Sequence, residues 1–385
     1  MFQTKAITKL AAPIASRTYA SVASASNGIK VASVADASES PMASISLVIN
    51  AGSRFETAEN SGVAHYLKAF GFRNTQSRTS FRTVREAELN GASLTAEATR
   101  ENIIYTVECF KDAIPYFADV LGDIATATKY TEHEFRDIAK LVAFESLSAR
   151  SSPATRLVEG YAEAALTAGR VAIVGTGIDS AALAAIVSES KLAAIPASSA
   201  STLSTPASKF NGGVQQIYDS ASPVSHYALA FEGASDAATT RVLANLLSGE
   251  RRLKWNTGVS PLAKLAAEEG FGLQSFQSSY SDASLVGVVV SAPNAKIQEA
   301  VEKSQIASPS AETVQRAVAA AKVDVSEALA TRAGKRDALA QAAFGRTAVA
   351  VESAASAAAK TFKSKPVGAA VGLSQATPYV DTLGF

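Results

Sequence analysis

The chain has few of the residues from which metal and redox sites are built. Its 385 residues include one cysteine, three histidines, one tryptophan and two methionines. A single cysteine excludes an internal disulfide, and so few nitrogen and sulfur ligands argue against a metal cluster. No apolar run reaches the ~18 to 20 residues that a membrane-spanning helix needs. Cys109 lies in an apolar, strand-like pattern and is predicted to be a buried core residue, not a reactive thiol.

The chain also has almost no net charge. Lysine and arginine number 36 and the two acids 35, which leaves a formal net charge of +1. This balance gives no general reason to expect a nucleic-acid partner. A hydrophobic content of 47% with 18% charged residues indicates a globular protein, and the length is sufficient for two domains.

Acidic residues are missing from the N-terminus, where the first is Asp36. Lys5, Lys9 and Arg17 are accompanied by apolar residues at helical spacing, and serine and alanine are abundant. This composition is typical of a mitochondrial transit peptide, and Arg17-Thr18-Tyr19 resembles a matrix cleavage pattern. We therefore predict a transit peptide at residues 1–19. The alternative is a disordered N-terminus without a targeting role.

One stretch in the first half organises the chain. An apolar strand pattern at 42–51 and a loop at 52–56 precede a helical pattern from 61 to 70. The helix resembles the metal-site helix of the mitochondrial processing peptidase, or pitrilysin-type, family, whose motif is H-x-x-E-H. His65 occupies the first ligand position, but Lys68 stands in place of the general base and Ala69 in place of the second ligand. The resemblance therefore implies a degenerate motif with no catalytic residues.

A third zinc ligand, a glutamate, comes from a later helix in active family members. Counting from the motif places it at Glu145, whereas matching the local pattern places it at Val142. With either residue, the site has at most two of three ligands and no base, so we predict no bound metal. His133 and His226 are too far apart in sequence to build another site.

The rest of the first half alternates strands and helices. Residues 29–34 and 43–49 are predicted to be neighbouring strands, and 92–98 and 102–110 an antiparallel pair. Helices are predicted at 80–89, at 112–127 and from a capping-box pattern at 131–134 to about 150. This order of elements is again that of the family's first domain.

Gly175-Thr176-Gly177 follows a strand pattern and precedes a helical one, as in dinucleotide-binding loops. The third glycine of that fingerprint would fall at Ser180, and the strand does not begin a β-α-β unit. We interpret the pair of glycines as structural, and we predict no cofactor.

A linker divides the chain at residues 196–208, which consist mostly of serine, threonine, alanine and proline. Beyond it, the order strand, turn, strand, loop, helix repeats that of the first half. The prediction is an α+β protein with two similar domains, at 20–195 and 209–385, each a mixed or antiparallel sheet covered by helices.

The loop at 248–262 differs from the glycine-rich substrate loop of processing-peptidase α-subunits. It contains two glycines together with Arg251, Arg252, Lys254 and Trp255. Two interpretations stay open: a solvated run of charge, or a docking surface for a partner.

Together, the broken motif and the missing glycine-rich loop resemble the non-catalytic core-protein branch of the family. That resemblance implies a structural, matrix-side peripheral subunit of the inner-membrane ubiquinol–cytochrome c reductase, without a cofactor of its own. It implies core protein 1, cytochrome b and the other subunits of this dimeric complex as partners. The alternative is a non-catalytic α-like subunit of the processing peptidase that binds presequences. The segments at 150–170 and 333–361 are shorter than is usual in the family.

Overall fold

The computed structural model describes most of the chain in two compact units. The described residues are 21–24, 29–35, 40–57, 59–146, 170–196, 210, 213–218, 223–234, 236–248, 260–305, 310–344, 361–362, 364 and 366–383. Unit 1 comprises Met1–Thr205 and Leu329–Arg346, and unit 2 comprises Pro206–Ala328 and Thr347–Phe385. The stretch Leu329–Arg346, from the second half of the chain, therefore belongs to the first unit. The predicted division into domains at 20–195 and 209–385 assigned it to the second domain.

Unit 1 is built on a sheet of six strands. They are β1 (Ser21–Ser24), β2 (Lys30–Val34), β3 (Met42–Ile49), β4 (Ser93–Ala98), β5 (Ile103–Phe110) and β6 (Val171–Thr176). Their order in the sheet is β1-β2-β6-β3-β5-β4. The β2–β6 pair is parallel and the other pairs are antiparallel. All six residues of β6 are buried, as expected for a strand with a neighbour on each edge and protein on both faces.

In the part of the first half that the structure describes, five helices belong to the same unit. They are α1 (Val63–Phe70), α2 (Ser80–Leu89), α3 (Ile114–Thr126), α4 (Glu132–Ser146) and α5 (Ser180–Glu189). Strands β3 and β5 and helices α1, α3, α4 and α5 share one apolar core, in which Ile45, Leu47, Phe117, Ile138 and Leu183 are fully buried. This core fixes the position of α1, which carries the degenerate motif.

A second, smaller apolar cluster involves a helix from the other half of the chain, α10 (Arg332–Ala343). Leu339, Ala340 and Ala343 of α10 pack with Ala32, Val48, Ile104, Ala172 and Val174 of the sheet. Because successive residues of a strand point to opposite faces, Val48 lies on the face opposite Leu47. Helix α10 thus covers the face of the sheet that the first core does not use.

Unit 2 contains a sheet of five strands with the same plan. The strands are β7 (Val214–Tyr218), β8 (Val224–Glu232), β9 (Gly272–Ser279), β10 (Ser284–Pro293) and β11 (Val367–Gly372). Their order is β7-β11-β8-β10-β9, with a parallel β7–β11 pair and antiparallel pairs elsewhere. The described helices of this half are α6 (Ala237–Leu246), α7 (Pro261–Glu269), α8 (Ile297–Lys303) and α9 (Ala311–Ala330), which precedes α10.

Five strands of the first sheet correspond in order to the five strands of the second, which confirms the predicted fold of two similar α+β domains. Strand β1 has no counterpart among the described strands of the second sheet; β2 and β7 each pair in parallel with the last strand of their sheet, and β3 and β8 each separate that last strand from a hairpin. One expectation was wrong: β2 and β3 are not neighbours, because β6 lies between them and pairs with both. An uncharged and fully buried strand gains more from this central position than from an edge.

Several predicted features lie outside the described residues. They are the transit peptide at 1–19, linker residues 197–208, the shortened segment at 150–169, residues 345–360, and the basic loop residues 249–259 with Trp255.

Among the residues that the structure describes, no helix combines the length and apolar composition required to cross a membrane.

Candidate functional site

Helix α1 begins at a cap supplied from the preceding loop. Its N-cap residue, Gly62, has a φ of +93° and no side chain that could accept a hydrogen bond. The carboxylate of Glu56 takes this role: it accepts hydrogen bonds from the backbone N–H groups of Gly62 at 3.0 Å and Ala64 at 2.8 Å. A carboxylate suits this place because the first N–H groups of a helix lack internal partners and the helix dipole is positive there.

The three motif residues lie on one side of α1, at spacings of three and four residues, and each is partly exposed. His65 carries an imidazole, which can bind a metal. The ammonium of Lys68 has no lone pair when charged and repels a cation, and Ala69 has no ligand atom. The motif residues therefore do not fit a catalytic zinc site, which needs three protein ligands.

Aromatic contacts pack α1 against α4. The ring centroid of Phe70 lies 4.8 Å from that of Phe135 and 5.1 Å from that of Tyr130, and both pairs have edge-to-face geometry. The ring of Tyr66 lies 5.8 Å from that of Phe135. The helix expected to carry a third ligand is thus adjacent to the motif helix, as the resemblance implied.

Tyr105 of β5 supports α1 from below. Its hydroxyl donates a hydrogen bond of 2.6 Å to the carbonyl oxygen of Leu67, and burial, with a smaller contribution from Tyr130, raises the pKa of Tyr105 above its usual range. A Cβ added to Gly71 would lie 2.5 Å from the ring of Tyr105, so only glycine fits at this position. The buried hydroxyl of Tyr105 therefore connects the last turn of α1 to strand β5.

A broad groove of about 590 Å³ opens beside the degenerate motif. Lys68 and Ala69 of α1 line it, together with Phe72 and Arg73, which follow the helix. Its other lining residues are Gly71, Ser80, Phe81 and Val84 around α2, Leu94 and Ala96 of β4, and Leu141 of α4. The positions of the missing base and second ligand therefore face a groove that is largely apolar.

The α4 residues near the groove are not carboxylates. Leu141 lines it, and Val142 is buried in the core with 6% of its surface exposed. Glu145 lies in α4, but its side chain is outside the described residues. Among the described residues, no group of three histidine, cysteine, aspartate or glutamate side chains could hold a metal ion.

The other two histidines belong to other elements than His65. His133 is in the first turn of α4, where its Nε2 lies 3.4 Å from the hydroxyl of Thr131. His226 is in β8 of unit 2, where its Nδ1 lies 2.8 Å from the hydroxyl of Ser291 on β10. The structure thus places each beside a hydroxyl and in a separate element.

Cys109 and the glycine pair have packing roles. Cys109 is fully buried in β5, and burial raises the pKa of its thiol to about 11.

A Cβ on Gly175 would lie 2.6 Å from Ile178, and Gly177 has a φ of +79°, which favours glycine. The carboxylate of Asp179 accepts a hydrogen bond from the N–H of Ala181 and begins α5, as expected of an N-cap.

The sequence did not reveal the groove residues Phe72, Arg73, Phe81 and Leu141 as a set. They come from the end of α1, from α2 and from α4, and only the fold brings them together. One signal was available: Phe81 falls at an outward-facing position of a helix whose buried residues are Thr83 and Ala87. A single exposed aromatic residue is normal on a protein surface, so this signal alone does not identify a binding surface.

Two models of protein families match the chain. Residues 30–172 match the family model described as insulinase, peptidase family M16. Residues 157–305 match the model described as the peptidase M16 inactive domain. Together the two matches span residues 30–305.

Individual relatives are more specific. The chain is 32% identical to the mitochondrial cytochrome b-c1 complex subunit 2 of Cryptococcus neoformans, over 96% of this chain and 95% of that protein. It is 30% identical to subunit 2 of Neurospora crassa, over 93% and 90%. The α-subunit of the mitochondrial processing peptidase of Solanum tuberosum is 36% identical, but over only 35% of this chain and 28% of that protein. The chain belongs to peptidase family M16, in the branch formed by the mitochondrial subunits 2 of the cytochrome b-c1 complex.

Proposed function

We propose that the chain is a non-catalytic subunit of the mitochondrial ubiquinol–cytochrome c reductase. The observation that carries this proposal is the extent of the similarity, which covers 96% of the chain and 95% of a cytochrome b-c1 complex subunit 2. This similarity extends over both domains and is not confined to the region that also matches a processing-peptidase α-subunit. In this role the chain supports electron transfer from ubiquinol to cytochrome c.

The absence of peptidase activity forms part of the proposal. The general base of the family motif is replaced by Lys68 and the second ligand by Ala69. Without a base and with at most two ligands, the site has no means of activating water. We therefore propose no catalytic residue, no metal and no cofactor for this chain.

The proposed location is the matrix side of the inner membrane, where the chain is peripheral. The partners are core protein 1, cytochrome b and the other subunits of the dimeric complex, and nucleic acid is not among them. Residues 1–19 form the transit peptide and residues 196–208 the linker in this proposal. The mitochondrial names of the relatives support the compartment.

Presequence binding, as an α-like subunit of the processing peptidase, is the weaker alternative. The processing-peptidase match covers about a third of the chain, at 35%, whereas the subunit 2 matches are nearly end to end. Similarity confined to one region fits a shared domain ancestry as well as a shared function.

Native purification tests the choice. Mitochondrial membranes are solubilised in mild detergent, and each chromatographic peak is analysed by mass spectrometry and heme absorbance. We expect the chain to migrate with b-type and c-type heme. A heme-free matrix heterodimer that cleaves presequences would contradict the proposal and favour the processing peptidase.

A further inference from the structure

Strand β9 lies at an edge of the second sheet. It is last in the order β7-β11-β8-β10-β9, and it pairs with β10 over its full length, from Ser279 opposite Ser284 to Gly272 opposite Ser291. Within the described parts of the chain, no backbone group of β9 bonds to a residue outside this pair of strands. Its outer side therefore presents N–H and C=O groups to which a further strand can bond.

The alternation of hydrogen bonds in the sheet identifies the outward backbone groups. The N–H of Gly233, which follows β8, donates to the carbonyl oxygen of Ser284 at 2.8 Å, so the even-numbered residues of β10 face β8. On the other side, the N–H of Tyr280 donates to the carbonyl oxygen of Ala283 at 2.8 Å, so the odd-numbered residues of β10 face β9. Even-numbered residues of β9 therefore bond to β10. The outward groups belong to Leu273, Ser275, Gln277 and Ser279.

The sequence of β9 does not protect this edge. Natural proteins protect edge strands with charged side chains, proline, bulges or short length. Of the other edge strands that the structure describes, β1 has four residues, β7 has five, and β4 carries Glu97. Strand β9 has eight residues, of which none is charged and none is proline, and its register with β10 is uninterrupted. It is therefore the described edge that a further strand can approach most easily.

The side chains of β9 leave the outer edge accessible. A Cβ on Gly287 of β10 would lie 2.5 Å from Cζ of Phe276, so the aromatic ring rests over this glycine and points into the sheet. Leu273 is buried on the opposite face. The remaining side chains of the strand are those of serine and glutamine. No bulky side chain of β9 therefore stands between its outer backbone groups and an approaching strand.

We propose that β9 pairs with β9 of a second copy of the chain, in antiparallel orientation about a two-fold axis at Phe276. In this register Leu273 lies opposite the second copy's Ser279. Ser275 lies opposite the second copy's Gln277, so all four outward residues have partners. Pairing about Ser275 instead would place Ser279 opposite a residue that precedes the strand. This inference concerns the chain alone and does not depend on the function proposed above.

A second copy fits this edge because the strand is complementary to itself. With no charge in β9, antiparallel pairing opposes no like charges, and it places the two Phe276 side chains next to each other across the axis. A copy also supplies a strand that is already extended, so pairing costs little ordering entropy. The contact is closed by its symmetry, which joins two five-stranded sheets into one. Eight residues from each copy are fewer than the roughly 20–30 of a standard interface, so the isolated dimer is weak and has to be trapped.

Disulfide trapping tests the pairing with the purified full-length chain. The single natural cysteine, Cys109, is buried, so an introduced thiol reacts without background. In Phe276→Cys the two introduced thiols lie opposite each other at the axis, and mild oxidation should link two chains. Ser278→Cys is the matched control on the same face of β9: it lies about 13 Å from its own copy and should give at least about tenfold less linked dimer. An equal or greater yield from Ser278→Cys, or no dimer from either variant, would overturn the proposal.

A mixture of two variants tests the register while keeping Phe276. Gln274 lies opposite the second copy's Ser278, so Gln274→Cys mixed with Ser278→Cys should give a linked dimer, whereas each variant alone should not. Adding Gln277→Pro to Phe276→Cys removes an outward N–H that β10 does not use, and it should lower the yield of linked dimer by about tenfold or more. Thermal unfolding checks that each variant is folded. An undiminished yield with Gln277→Pro in a folded chain would contradict pairing through this edge.

A strand from another protein is the other occupant that such an edge can take. Oxidation of mitochondria that contain the Phe276→Cys chain, followed by mass spectrometry of the linked products, decides between the two. We expect the chain to be linked to itself. Products that join position 276 only to a different polypeptide would assign the edge to that partner and overturn the proposal.

Discussion

A single buried arginine joins α10 to the first sheet. The guanidinium of Arg336 donates hydrogen bonds to Glu97 at 2.8 Å and to the hydroxyl of Thr106 at 3.2 Å, and it also pairs with Asp337 at 2.8 Å. Burial lowers the pKa of Arg336, but the hydrogen bonds and charges of Glu97 and Asp337 outweigh it, so the net pKa is raised. The side chain therefore stays charged although only 7% of it is exposed.

Arg336→Ala is predicted to reduce the free energy of unfolding by about 2 kcal/mol. The variant loses the hydrogen bonds to Glu97 of β4 and Thr106 of β5. Glu97 and Asp337 are half exposed and can be rehydrated, which limits the loss of stability. Arg332→Ala on the same helix is the control, because Arg332 is 30% exposed and lies 3.8 Å from Glu108; its cost should stay below about 1 kcal/mol. Urea unfolding of the two variants measures the difference, and equal losses would contradict this role of Arg336.

Cys109 predicts a dependence of stability on alkaline pH. Burial raises its pKa from 9.0 to about 11, so the folded chain keeps the thiol proton in a range where the unfolded chain loses it. The contribution is complete below pH 9 and is lost as the pH rises towards 11. Within this window the unfolding free energy should fall by about 1.4 kcal/mol per pH unit because of this group.

Cys109→Ala isolates that contribution from other groups that titrate at alkaline pH. The variant should be less stable than the wild type at pH 8, and the gap should narrow between pH 9 and 11. Urea unfolding at several pH values measures the gap. A gap that is constant over this range would show that the thiol does not carry the predicted shift.

At the scale of elements, α1 depends on a residue outside the helix. Glu56→Ala removes the acceptor for the N–H groups of Gly62 and Ala64 and should cost about 1 to 2 kcal/mol. Glu56→Gln should cost about half as much, because an amide keeps one acceptor oxygen of two. Glu59→Ala, at an exposed position of the same loop, is the control. Hydrogen exchange should show faster exchange in the first turn of α1 for Glu56→Ala, and unchanged exchange would contradict the capping role.

The elements themselves were largely predictable, whereas their long-range partners were not. Helix α2 has the predicted bounds, Ser80–Leu89, because a threonine cap and a glycine at φ +58° mark its ends locally. The place of β6 between β2 and β3 depends on contacts across more than a hundred residues, which periodicity does not encode. The cap of α1 was missed for a similar reason, since Glu56 lies six residues before the helix N-cap.

At the scale of the whole molecule, the sequence predicted two domains of similar plan. It did not predict that α10, from the second half of the chain, belongs to the first unit. The order of apolar patterns repeats in both halves, and this was sufficient to predict two similar sheets. The assignment of Leu329–Arg346 to unit 1 requires knowing that the sheet has a second apolar face, which Ala32, Val48, Ile104 and Ala172 form. The groove was equally hidden, since it needs three elements brought together by the same fold.

Leu339→Ala tests whether α10 stabilises the first sheet. Leu339 is 2% exposed and packs on the second face of that sheet, so truncation should cost about 2 to 4 kcal/mol. The effect should be local: hydrogen exchange in β3 and β6 should become faster, while β8 and β10 keep their protection, because they belong to the other unit. Gln341→Ala, at an exposed position of the same helix, should change neither. Equal loss of protection in both sheets would mean that the two units unfold together, and that α10 is not an element of the first alone.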